Sequence, residues 1–193
     1  MRCHIHCLKR GLNQFEDNTA FKSQLKSKIS FQNKQNILSE IEDHLREFRM
    51  NLTHLKDKPV SYIMGNLSHI LGYGLGSTPQ SDDIFLGILA AIYCLNNHVQ
   101  SEFEFLSKLP FERFTTSESA QLCRNFLHQN FPSEIIPFLE LLKDPLNDNY
   151  AKFRFEEEIH KINSIGTSSG YYFLLGVLWE LEYDFNCYSK KQE

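Results

Sequence analysis

No run of apolar residues in this chain approaches the ~20 that a membrane-spanning helix requires; the longest, Ile84 to Leu95, stops well short. Nor is there a basic stripe. Lys and Arg number 20 against 24 Asp and Glu, for a formal net charge of -4, and the cations are scattered, so a row of phosphates has no counterpart and nucleic acid is not an expected partner. β-Branched alternation punctuated by hairpin turns is missing as well, which leaves a predominantly helical fold. No Ser or Cys stands at a nucleophile elbow, and the isolated histidines have none beside them, so triad hydrolysis is not expected. The five cysteines are an odd number, and Cys94 and Cys123 sit in apolar helical patterns where a thiol acts as a small hydrophobe. With no apolar h-region behind the basic first residues, the expectation is a cytoplasmic protein in a reducing compartment.

What is present is enough for one core. A chain of 193 residues, 41% hydrophobic and 13% aromatic, can bury roughly 70% of its unfolded surface as a single domain. The reading is an irregular segment over 1–18, one helical domain over 19–187 and a polar tail over 188–193. Within the first segment, Cys3, His4, His6 and Cys7 resemble soft-metal ligands, but segments at a chain end are usually poorly ordered, and no metal is expected there.

Helical periodicity organises the rest. Ile37, Ile41, Leu45, Phe48, Leu52 and Leu55 recur at spacings of three and four, predicting a helix of about six turns that ends near Lys58-Pro59. A shorter helix follows over Val60 to Leu71. The segment from Ile84 to Leu95 is apolar all round and is predicted to be the central helix, with Gly87, Ala90 and Ala91 allowing a neighbour close. Further helices are expected over Phe103–Leu109, from a capping box at Thr115-Thr116-Ser117-Glu118 through Leu127, from Ser133 and Pro137 to Asp144-Pro145, over 148–163, and from Ser169 to about Asp184. Seven or so helices with short loops predict a compact bundle.

One stretch is too specific for packing alone. Gly72, Gly74 and Gly76 alternate in a loop that runs through Ser77-Thr78-Pro79-Gln80-Ser81 into Asp82-Asp83 and the apolar helix. Glycines let the backbone take φ > 0 and present N–H groups, while Thr78-Pro79 reads as N-cap and first helical residue. Asp82 and Asp83 either complement the helix dipole or reach a ligand. Without a Gly-Lys-Ser/Thr ending, the loop is not a plain phosphate cradle, and two carboxylates would repel a bare phosphate by about 1–4 kcal/mol per charge pair. Three remedies are open: a divalent cation on Asp82 and Asp83, a cation from a partner, or a ligand that carries N–H donors as well as acceptors, such as a carbamoyl or ureido group.

The same pattern returns late in the chain. Thr78 to Gly87 aligns without gaps on Thr167 to Gly176, each a polar turn that feeds an apolar helix with a glycine. Two buried helices are therefore expected to pack through Gly87 and Gly176 with both polar entrances at one end, enclosing a composite pocket. Tyr171 and Tyr172 are candidates to line it.

These segments resemble the AllH-like family. Its Gly-x-Gly-x-Gly-Leu-Thr-Pro-Ser-Gly-Asp-Asp-Phe-Leu-x-Gly pattern is matched by Gly72, Gly74, Gly76, Thr78, Pro79, Asp82, Asp83 and Gly87. The Thr115 to Ala120 and Phe131 to Glu134 stretches, and Gly166-Thr167-Ser168-Ser169-Gly170 with Leu174 and Gly176, are similar to its later motifs. Ser77, Gln80, Ser81, Thr167 and Tyr172 depart from the usual residues. The resemblance implies a subunit of a multi-subunit carbamoyltransferase of allantoin-type nitrogen metabolism, working beside FdrA-like and AllG-like chains, which convert oxalurate and phosphate into oxamate and carbamoyl phosphate.

Together these readings assign Asp82 and Asp83 as catalytic, orienting a substrate NH2, with substrate bound by Gly74, Gly76, Ser77, Thr78 and Ser81 from the first loop and Thr167, Ser168, Ser169 and Gly170 from the second. No cofactor is expected, a divalent metal at the paired aspartates being the exception kept open. The alternatives are a noncatalytic assembly subunit whose glycine loops dock other chains, and a metal-assisted hydrolase.

Overall fold

The computed structural model describes residues 1–17, 32–95, 99–144 and 146–189, with the side chains of 11–17, 32–36 and 187–189 outside the description. His98, Pro145 and residues 190–193 lie outside the described residues. Nine α-helices and two short 3-10 turns make up the described fold, with no strand among the described residues. The helices are α1 (Arg2–Asp17), α2 (Gln32–Asn51), α3 (Val60–Ser68), α4 (Gln80–Leu95), α5 (Gln100–Ser107), α6 (Ser117–Leu127), α7 (Ile136–Lys143), α8 (Asn149–Asn163) and α9 (Ser169–Ser189). The mainly helical architecture read from periodicity is the observed one.

Two local readings change. Residues 2–17 form a helix rather than an irregular segment, because His4, Cys7 and Leu8 share a face and are buried. Lys9 pairs with Glu182 at 2.5 Å and Arg10 with Glu156, which fastens α1 to α9 and α8. The long helix before Pro59 is also interrupted: α2 gives way to a 3-10 turn over Leu52–Asp57, with non-helical backbone at His54.

The core sits around α4. From Gln80 to Ile92 every residue of this helix is buried, as expected of a segment apolar on all sides. Its main neighbour is α9. A methyl group at Gly87 would collide with the carbonyl oxygen of Phe173, and one at Gly176 with that of Ile84, so the two helices cross backbone against backbone at their glycines. The predicted glycine contact is thus the structural centre of the molecule.

On the far side α2 reaches α9 through a buried ion pair. Arg49 Nε donates to Glu180 Oε1 at 2.6 Å, and Glu180 is fully buried. Burial pushes the Glu180 carboxyl up to about 7, although the Arg49 guanidinium opposes the rise. No described helix is long and apolar enough to cross a membrane.

Candidate functional site

The crossing of α4 and α9 brings their N-termini together. Thr78 Oγ1, just before α4, lies 3.3 Å from Ser169 Oγ at the start of α9. The two polar entrances, far apart in the chain, therefore meet as expected. Thr78 does not cap α4 as predicted: its hydroxyl turns to Ser169, while the Ser81 N–H donates to the Tyr73 carbonyl at 3.1 Å.

The glycine loop has the predicted backbone, with φ of 88° at Gly72, 126° at Gly74 and 100° at Gly76. It does not face a ligand with all of its N–H groups. The Gly72 N–H donates to Asp82 Oδ1 at 2.7 Å, the Tyr73 N–H to Ser81 Oγ at 2.9 Å and the Leu75 N–H to Gln80 Oε1 at 2.8 Å. The loop folds back onto the first turn of α4, and Gly74 is needed because any Cβ would strike the Gln80 side chain.

Asp82 is the hub of this knot. It is fully buried, and its two oxygens accept from four donors. Oδ1 receives Gly72 N–H and the Ser81 hydroxyl at 3.2 Å. Oδ2 receives the Ser119 hydroxyl at 2.5 Å and the Thr115 hydroxyl. Thr116 accepts from the Ser119 N–H as the N-cap of α6 and donates its own hydroxyl to the Ser77 carbonyl. The predicted capping box is therefore divided: Thr116 caps, and Thr115 is a clamp on Asp82. Thr115, Ser119 and Gln80 are the residues that the sequence reading missed. The density of hydroxyls in Thr115-Thr116-Ser117-Glu118-Ser119 was the available signal.

Asp83 faces the other way. It borders a cavity of about 520 Å³ together with Thr78 and Ser169. Successive helical residues are rotated by about 100°, so adjacent carboxylates need not share a face. The cavity is walled by Leu86 of α4, Leu122 and Phe126 of α6, Ile162 of α8, Ile165 beyond it and Phe173 of α9, with Glu134 at its edge. Burial pushes the Asp83 carboxyl up to about 7, the Ser169 hydroxyl partly opposing the rise and the Asp82 charge adding to it. Behind it the Tyr172 hydroxyl is buried without a hydrogen-bond partner, pushed up to about 12 by burial and by the Asp83 charge.

The nominated residues consequently divide into two groups. Thr78, Asp83, Ser169 and Gly170 border the cavity, joined by Gly166. Gly74, Gly76, Ser77, Ser81, Asp82, Thr167 and Ser168 do not, and Tyr171 and Tyr172 are core residues, not lining. Gly170 is pressed against the Ile162 carbonyl, which seats the start of α9 on the end of α8. A metal shared by both aspartates is poorly served, because the oxygens of Asp82 are already engaged with four donors. Among the described residues no group of three or more His, Cys, Asp or Glu is placed to hold a metal. At the N-terminus, His4 Nε2 meets the Leu141 carbonyl at 3.2 Å and its ring abuts Phe155, and burial pushes the Cys7 thiol up to about 12.

Fold and site together define a helical domain in which two helix entrances border a cavity of small-molecule size that a buried carboxyl group lines. The chain belongs to the AllH family: the family described as oxamate carbamoyltransferase subunit AllH matches residues 70–181, a span that contains both entrances and all the cavity walls. Neither the curated proteins nor the solved structures contain a match. Membership makes the chain a carbamoyltransferase subunit and implies other subunits.

Proposed function

We propose that this subunit holds the carbamoyl or ureido end of a small substrate at Thr78, Asp83 and Ser169. The observation that carries the reading is a buried carboxyl that lines one cavity with two hydroxyls. A carbamoyl NH2 donates to the Asp83 carboxylate beside the Ser169 hydroxyl, and the Thr78 hydroxyl turns from Ser169 to donate to the carbamoyl oxygen. Such a site recognises the group by matching donors to acceptors at fixed positions and contributes by orientation and electrostatics.

In the family's reaction a phosphate oxygen attacks the carbamoyl carbon, the bond from that carbon to the departing nitrogen breaks, and that nitrogen takes a proton from water or a companion chain, while the Asp83 carboxylate keeps the NH2 oriented. The described lining of the cavity includes no Lys, Arg or His. Cations for phosphate therefore come from companion chains, of the FdrA-like and AllG-like kind that the family resemblance implies.

Calorimetry with N-methylurea tests the head-group assignment on the isolated chain. Asp83→Ala is expected to weaken binding at least tenfold, and an unchanged affinity in that variant would refute the assigned role. A docking role for the glycine loop is supported by a separate feature: Tyr73 and Leu75 are exposed, Leu75 at 67%. Loss of co-purification with companion subunits in Leu75→Ser, with ligand binding retained, would favour docking for that loop.

A further inference from the structure

A polar group behind the cavity has no role in the carbamoyl site so far. The Tyr172 side chain is 1% exposed, and its hydroxyl is buried with no hydrogen-bond partner. A phenylalanine would fill the same space without that cost, since a buried donor left unpaired is unfavourable and native proteins keep few of them. Helical register sets where the hydroxyl lies. Ser169, Tyr172 and Gly176 follow at spacings of three and four, so they share one face of α9. Ser169 meets Thr78 at one end of that face, and Gly176 meets the Ile84 carbonyl at the other. Tyr172 thus faces the first turn of α4, which carries Asp82 and Asp83. Asp82 has no capacity to spare, because its oxygens already accept from four donors. Asp83 keeps such capacity beside the Ser169 hydroxyl, and its charge acts on Tyr172. Tyr172 does not border the cavity, so a ligand there reaches Asp83 and not the tyrosine.

Resting on the head-group reading above, we infer that Tyr172 is a positioning residue for the carbamoyl site, donating its hydroxyl to the Asp83 carboxylate whenever that group is ionised. The tyrosine is held edge-on against Tyr171 at 5.3 Å in the core, so the turn falls to the Asp83 carboxyl, which borders open space. One carboxylate oxygen is then held from behind while the other is presented to the substrate NH2. Tyr172 remains a donor throughout, because burial and the Asp83 charge push its own ionisation up to about 12. A donor that bonds the charged form of a carboxyl lowers its pKa. The other groups bearing on that charge are Asp82 beside it, the hydroxyls of Thr78 and Ser169, Glu134 at the cavity edge and the Cys123 thiol of α6, which burial keeps neutral.

Tyr172→Phe removes the donor and keeps the ring. The Asp83 titration is followed by carboxyl-carbon NMR on the full chain, with Asp83→Asn identifying the signal, and N-methylurea affinity is measured by calorimetry over the same pH range. The Asp83 midpoint is expected to rise by about one unit in Tyr172→Phe, so that N-methylurea binds about tenfold more weakly than to the wild type at pH 6 and within about twofold at pH 9. The increase that Tyr172→Phe brings to the unfolding constant is expected to grow about tenfold between pH 5 and pH 9, and to be the same at both in an Asp83→Asn background. An unmoved midpoint, or an effect on unfolding that is the same at every pH in the wild-type background, overturns the positioning role and leaves the head-group reading to its own Asp83→Ala test. A midpoint that moves with no change in N-methylurea affinity sinks the head-group reading, and the positioning role with it.

Discussion

Adjacent in the chain, Asp82 and Asp83 live in opposite surroundings. On one side of the α4 entrance is a knot in which the Asp82 oxygens accept four hydrogen bonds and three loop N–H groups find side-chain partners. On the other is a cavity where Asp83 is buried beside only hydroxyl groups and its ionisation is displaced to about 7. Complete satisfaction makes a rigid scaffold, and incomplete satisfaction leaves capacity for a ligand. The difference teaches which of two like residues holds the fold and which is available for chemistry.

The contrast can be broken most forcefully at Asp82. Asp82→Ala strands four donors, two of them hydroxyls of fully buried residues, Ser81 and Ser119, and is expected to cost about 5 kcal/mol. A fall in melting temperature of ~10 °C or more in a thermal melt would register it. Loss of ligand binding without loss of stability would mean that the knot is not structural.

Next in size is the crossing that sets both regions. Gly87→Ala drives a methyl group into the Phe173 carbonyl, for an expected loss of about 3 kcal/mol in denaturant unfolding. Gly65→Ala, in α3 with open space around it, serves as the contrasting control and is expected to be neutral or slightly stabilising.

Asp83 responds with the opposite sign. Its folded-state pKa is raised from 3.8 to about 7, so the native state holds more protons than the unfolded state between those values and stability falls as pH climbs through that window. Asp83→Asn is expected to stabilise the protein by ~2–3 kcal/mol at pH 8 and to make little difference at pH 4. Comparing unfolding free energies of the two proteins across this range isolates the Asp83 contribution from that of Glu180, whose carboxyl is also raised to about 7. Affinity for an NH2-bearing ligand moves the other way, strengthening as pH passes 7 and the carboxylate acceptor forms. A parallel rise of affinity and stability would contradict the assignment.

The smallest effect is at Gln80. Removing the side chain that accepts from the Leu75 N–H at 2.8 Å is expected to cost ~1 kcal/mol and to loosen the loop tip, read as faster amide exchange at Leu75. The Thr78 and Ser169 hydroxyls should be unaffected, so ureide binding is expected to change by less than twofold.

Much of this was legible before any coordinates. The central helix followed from its unbroken apolarity, and the meeting of the two entrances followed from Gly87 and Gly176 standing at equal distances from matching polar turns. What could not be read was the direction of individual side chains. The partners of the loop N–H groups lie five to ten residues along the chain, and the clamps on Asp82 lie 33 and 37 away, separations at which no periodicity reports. Thr115 and Thr116 illustrate the limit: consecutive residues of one type, one caps α6 and the other serves a carboxylate on a different helix. The helix at the N-terminus was hidden for another reason. Its buried face holds a histidine and cysteines, whose polarity masks an amphipathic pattern until the packing against Leu141 and Phe155 is seen.

The glycine-on-glycine contact of α4 and α9 acts as a riveted joint rather than a hinge. With main chain resting on main chain, neither rod can slide or roll without dragging the other, and the spacing of Thr78, Asp83 and Ser169 stays constant whatever happens further along the chamber. Evolution can therefore re-tailor what the chamber admits by exchanging residues on α6, on α8 and in the 132–135 segment, while the reading head keeps the same dimensions.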